Sequence, residues 1–255
     1  DANLDRVRQA FVTDSSAASY TTERDAQRRL IYLSAFDPRL FDEARAQVAT
    51  LSRWWTEHVA PPGPSEPAPP GAGPAPWVIV VLPSRPDYAR WGQQRFGDNW
   101  ERIGGQYSHD NKLLVAQDLG SPLRHEFWHV LHWRDQDARG QRHPIWIMEG
   151  LCSLVEDLEV PAGPGAEFRP APSWRTNQAR RLAKSGGLTP WSVLFSLDPK
   201  RFTGTRPLAQ YAHARSVFLW LHECGKLRDW YAAYTAGFEQ DATGKSAFEK
   251  VYSKP

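Results

Sequence analysis

The chain is poor in sulfur. Its 255 residues include two cysteines, Cys152 and Cys224, and one methionine. So few cysteines exclude a disulfide framework. A single bridge between the two stays open, because only geometry decides it. No apolar run approaches the ~20 residues of a membrane-spanning helix. Charge of one sign is not in excess either: 31 Lys and Arg face 29 Asp and Glu, for a formal net charge of +2. That balance gives no electrostatic case for a nucleic-acid or anionic-membrane partner. No internal repeat is present. Tryptophan is plentiful, at 12 residues, and implies a core of large aromatics or an aromatic-lined cleft. With 41% hydrophobic and 24% charged residues, we expect one catalytic domain over residues 1–255. The sequence starts at Asp1 instead of Met. A removed leader would account for this, so we expect an exported protein, periplasmic or extracellular.

Residues 1 to 27 are polar and carry weak signals. Arg28 to Phe36 reads as a strand ended by Asp37-Pro38. In residues 39 to 59, Leu40, Phe41, Ala44, Val48, Leu51, Trp54, Trp55 and Val59 recur at helical spacing. Pro61 to Pro76 is dense in Pro, Gly and Ala, which predicts a surface loop. Trp77 to Leu82 is a continuous apolar run suited to a strand buried on both faces. A short helix from Pro86 to Trp91 follows, Gly104-Gly105 punctuates the chain, and Lys112 to Gln117 is a further strand. From Pro122 onward the pattern is helical, over 122–134, 145–158, 174–185, 189–196, 207–224 and 226–235. Strands first and helices later predict an α+β fold, with a small mixed sheet in the N-terminal half.

His125-Glu126-Phe127-Trp128-His129 is the central motif. Positions four apart lie one turn apart on one helix face, so both imidazoles can reach a single tetrahedral metal ion. Glu126 can then serve as general base. Ser121 suits the N-cap and Pro122 the first helical turn. A catalytic zinc needs a third protein ligand. Glu149 offers one: it follows His129 by 19 residues, on a helix opened by Pro144, among apolar neighbours where a carboxylate needs a partner.

The motif and the Pro-x-Trp-x-x-Glu-Gly-Leu pattern at Pro144 to Leu151 resemble the gluzincin metallopeptidases, and within them a bacterial peptidase-MA-like group. The resemblance spans roughly residues 28 to 235. It implies a zincin-like fold, one Zn2+ per chain held by His125, His129 and Glu149, and a peptide substrate. It also implies that the strand near Leu113 to Gln117 is the edge that pairs with extended substrate. Thermolysin-like enzymes place an Asp four residues after the third ligand, where this chain has Ser153. Glu156 or Asp157 are the candidates to replace it. A metzincin set ending at Asp135 would require His132 to stand where the sharp turn needs glycine. A deformylase-like set would need a cysteine upstream of the motif, and none is there. We expect His132 to be a surface or supporting residue.

The oxyanion of a tetrahedral transition state needs a donor. Tyr211 is the first candidate and His213 the second, both near the start of the helix over 207–224. His58, His109 and His222 show no partner pattern. The expected activity is therefore hydrolysis of peptide bonds by a zinc-bound water that Glu126 deprotonates. Two alternatives stay open. One is a peptidase-like binding module with weak or no turnover, which Ser153 motivates. The other is a zinc hydrolase for a non-peptide or glycosylated substrate, which the aromatics motivate.

Overall fold

A computed structural model describes residues 2–12, 20–35, 37–60, 75–82, 84–159 and 168–252. Residues 61–74 of the expected Pro/Gly-rich loop lie outside these. The chain clusters into two compact units, Asp1–Ala49 with Ser65–Val130, and Thr50–Pro64 with Leu131–Pro255. The described residues are α+β, with a small mixed sheet in the N-terminal half and mostly helices after it.

In the first unit, strands β1 (Thr21–Asp25), β2 (Leu30–Ser34), β3 (Trp77–Val81), β4 (Gly105–Ser108) and β5 (Leu113–Ala116) form one sheet in the order β1-β2-β3-β5-β4. β2, β3 and β5 run parallel, and β1 and β4 pair antiparallel at the two edges. The Leu-Ile-Tyr-Leu and Trp-Val-Ile-Val-Val runs are buried along their whole length, as central parallel strands require. β5 is therefore interior, and the edge beside it is β4. This corrects the expectation that Leu113 to Gln117 forms the edge. Gln117 lies past the strand, its amide donating to the Gly104 carbonyl.

Side chains alternate between the two sheet faces. Ile31, Leu33, Val78, Val80 and Val115 pack with Leu4 and Val7 of α1 (Ala2–Phe11) and Tyr88 of α3 (Arg85–Phe96). On the opposite face Tyr32 meets Phe41 of α2 (Pro38–His58) edge to face, with centroids 5.4 Å apart. Ser84 caps α3: its Oγ accepts from the Asp87 amide, a device worth about 1 kcal/mol.

Helix α4 (Ser121–Arg139) is one continuous element. The second unit adds α5 (Ile145–Leu154), the two-stranded β6–β7 ribbon (Leu158–Glu159, Arg169–Pro170) and α6 (Trp174–Lys184). It continues with α7 (Trp191–Ser196), α8 (Pro199–Gly204), α9 (Pro207–Glu223), α10 (Leu227–Ala236) and α11 (Lys245–Tyr252). Every residue of α5 from Trp146 to Leu154 is buried. Gly150 sets its crossing with α9, since a Cβ there would fall 2.6 Å from Phe218 Cε2 and 3.0 Å from the Ala214 carbonyl. Trp146 stacks on Phe218 at 5.4 Å. Trp128, Trp146 and Trp230 are fully buried, whereas Trp174, Trp191 and Trp220 stay about half exposed. Each buried indole removes roughly 150–250 Å² from water, so much of the tryptophan content is core.

Candidate metal centre

Helix α4 places His125 and His129 on successive turns, with Glu126 directly after the first. Glu126 is 8% exposed and His129 2%, while His125 is half-buried. The two imidazoles meet edge to face at 5.0 Å. Their i, i+4 spacing produces this geometry without help from the rest of the chain.

Strand β4 supports the motif from the side. Tyr107 stacks on the His129 ring at 4.0 Å with an interplanar angle of 22°. Two residues earlier, and so on the same strand face, Gly105 lies against Glu126. A Cβ at Gly105 would stand 2.5 Å from Glu126 Cγ and 3.0 Å from the Val115 carbonyl. The Glu126 stem thus occupies space that only glycine leaves. Sequence reasoning missed both residues. Gly105 was visible as a glycine next to a strand, and nothing in the sequence marked Tyr107.

On α5, Glu149 is 7% exposed and Cys152 fully buried. Cys152 and Cys224 form no disulfide among the described residues, and Cys224 is exposed. Within the first unit, the two imidazoles one helical turn apart on α4 are donors that zinc accepts.

The surroundings of α5 answer the question raised by Ser153. Its side chain is fully buried and its Oγ has no hydrogen-bond partner among the described residues. Its carbonyl accepts from Arg215 Nε at 2.8 Å. Arg215, itself fully buried, also donates to Thr176 Oγ1 and the Ala171 carbonyl, which ties α9 to α5 and α6. Glu156 is held by Arg175, whose Nε and Nη2 donate at 2.6 and 2.9 Å. It is a structural ion pair, not a replacement for the missing Asp. The Asp157 carbonyl accepts from the Ala171 amide.

Tyr211 and His213 lie on different faces of α9, since two residues turn a helix by about 200°. They cannot both serve one oxyanion. Tyr211 is half-buried, edge to face with Phe202 at 5.1 Å, and its ring carries the Arg175 guanidinium at 5.0 Å. His213 is buried against Trp191 at 5.0 Å, and burial lowers its pKa.

The metzincin alternative fails on the backbone. α4 continues without a turn through His132 to Arg139. Asp135 Oδ2 accepts from the Tyr231 hydroxyl at 2.7 Å and from Arg139 Nε at 2.8 Å. His132 is fully buried, not a surface residue, and its Nε2 lies 2.7 Å from His143 Nδ1. His58 and His222 flank Trp54, at 4.6 and 5.3 Å, and His109 lies near Trp77 at 6.3 Å.

Comparisons of this chain with protein-family models, curated proteins and solved structures returned no match.

Proposed function

We propose that this protein is a zinc-dependent metallopeptidase of gluzincin type, with Glu126 as its general base and a peptide or protein as its substrate. The observation that carries this reading is the seating of Glu126. It is a nearly buried carboxylate beside two helix-spaced histidines, in room that Gly105 leaves for it. What zinc supplies when bound is Lewis acidity and a water acidified towards pH ~7.

His125 and His129 would hold the ion, and Glu149 is the third ligand that the resemblance names. Glu126 accepts the proton of the attacking water and returns it to the leaving amine. Tyr211, half-exposed, is the first candidate for oxyanion donor, and His213 the second. β4, as a sheet edge, offers backbone groups along which an extended peptide would pair. Export to the periplasm or beyond fits this reading.

Hydrolysis of a peptide library by the zinc-loaded protein and by Glu126→Gln is the test. Turnover in the first, and metal retention without turnover in the second, is the expected result. Equal turnover in both would remove Glu126 from its role. Ser153 favours a second reading, a metal-holding binding module. With no carboxylate at that position to orient a ligand histidine, turnover would be weak. Absence of hydrolysis on peptides and glycopeptides alike, with zinc present, would select it.

A further inference from the structure

We propose that His58 and His222, both in the second unit, form a metal site of their own that takes a copper(II) ion between two imidazoles. It is independent of the reading of His125 and His129.

The first support is geometry. His58 ends α2, and His222 lies in the last turn of α9. Nothing in their spacing joins them, yet the fold sets their ring centroids 5.9 Å apart at an interplanar angle of 81°. Two imidazoles that share an ion, each with its nitrogen ~2.0–2.1 Å from the metal, have centroids roughly 4.5–5.2 Å apart for ligand angles of about 90–109°. The rings need to close by about an ångström to reach that arrangement. Both are half-buried, so small side-chain rotations supply it.

The second support is the frame. Trp54 stands beside both rings, 4.6 Å from His58 and 5.3 Å from His222. Its indole is buried and gives the pair a fixed apolar wall. Arg228 of α10 donates to the Glu57 carbonyl, which ties the end of α2 to the helix that follows α9. Packing, not the chance meeting of two mobile side chains, brings the imidazoles together.

The third support is electrostatic. Both histidines sit at helix C-termini, where the last carbonyls carry partial negative charge and favour a cation. Burial, and then the His58 imidazole, lower the His222 pKa, which favours the neutral ring that ligates metals.

Imidazole suits copper, nickel and zinc. Copper(II) binds tightest of these and accepts a tetragonal sphere that water completes. Two protein donors hold zinc far more weakly than three, so zinc at this pair is lost on desalting. Binding exchanges water for two nitrogen lone pairs, and no electron is transferred.

Copper(II) titration of a His125→Ala, His129→Ala double variant reads this pair with the α4 rings removed. The expected result is one copper per chain, with an electron paramagnetic resonance spectrum split by two nitrogen donors. Adding His58→Ala or His222→Ala should each weaken binding about tenfold or more. No bound copper in the double variant, or an affinity that neither addition changes, would overturn the proposal. A second measurement uses the unaltered protein and needs no variant to fold. Copper with ascorbate oxidises the histidines that hold the ion, so 2-oxohistidine is expected at His58, His222 or both. Oxidation at neither would overturn the proposal.

Discussion

Two pairs of histidines use the same side chain in opposite ways. His125 and His129 sit one helical turn apart, edge to face, with Tyr107 stacked on the second ring. His132 and His143 bond to each other at 2.7 Å, and His143 Nε2 lies 3.1 Å from Gln141 Oε1. Gln141 in turn donates to the Thr235 carbonyl. With Gln141 as acceptor, His143 Nε2–H donates to it, and His143 Nδ1 accepts from His132 Nε2–H. The second pair belongs to a chain of buried hydrogen bonds. Burial makes such pairing valuable and disfavours the charged form of the imidazole. Burial, aided by Arg139 and Arg142, pushes His143 down to about 3. Histidine content alone does not reveal a metal site. What distinguishes the two pairs is what surrounds each ring.

The largest expected effect falls on the first pair's neighbour. Glu126→Gln should lower peptide hydrolysis about 10²–10⁴-fold and leave one metal per chain. Removing metal with a chelator should abolish the same activity and spare the fold around His143.

The second pair should respond to acid instead. In the unfolded chain His143 titrates near the ordinary histidine value of 6.5, and in the folded chain at about 3. Between those values the unfolded state binds the extra proton. Stability is therefore complete above pH ~6.5 and falls as pH drops towards 3, by roughly 4–5 kcal/mol in the limit. Denaturant titrations across that window would show the slope, and His143→Gln should flatten it. An unchanged slope in that variant would contradict the assignment of the acid response to buried His143.

Gly105→Ala should come next. The new Cβ meets Glu126 Cγ and a backbone carbonyl, so the carboxylate must move. Turnover should fall roughly 10–100-fold, with metal content unchanged. Tyr107→Leu removes the ring against His129 and should weaken zinc affinity about tenfold. Tyr107→Phe keeps the stack and should change it little. Equal affinity in the Leu variant would show that the stack does not orient His129.

Much of this was legible in the chain. The apolar runs became the buried strands Leu30–Ser34 and Trp77–Val81, and the helical spacing over 207–224 became Pro207–Glu223. His125 to His129 fell on a helix, as the spacing requires. The losses have physical causes. Gly105-Gln106-Tyr107-Ser108 has no apolar alternation, because an edge strand needs little burial, so β4 went unread. Thr21 to Asp25 hid in the same way. The helix expected over 145–158 ends at Leu154, although the apolar pattern runs to Leu158, because Leu158 and Glu159 pair as a strand with Arg169–Pro170.

Elemental analysis of the purified protein, alongside the His125→Ala, His129→Ala double variant, tests the central claim most directly. The account predicts one zinc per chain in the unaltered protein and none in the double variant. An absence of metal after zinc loading, or zinc kept in full by the double variant, would contradict it.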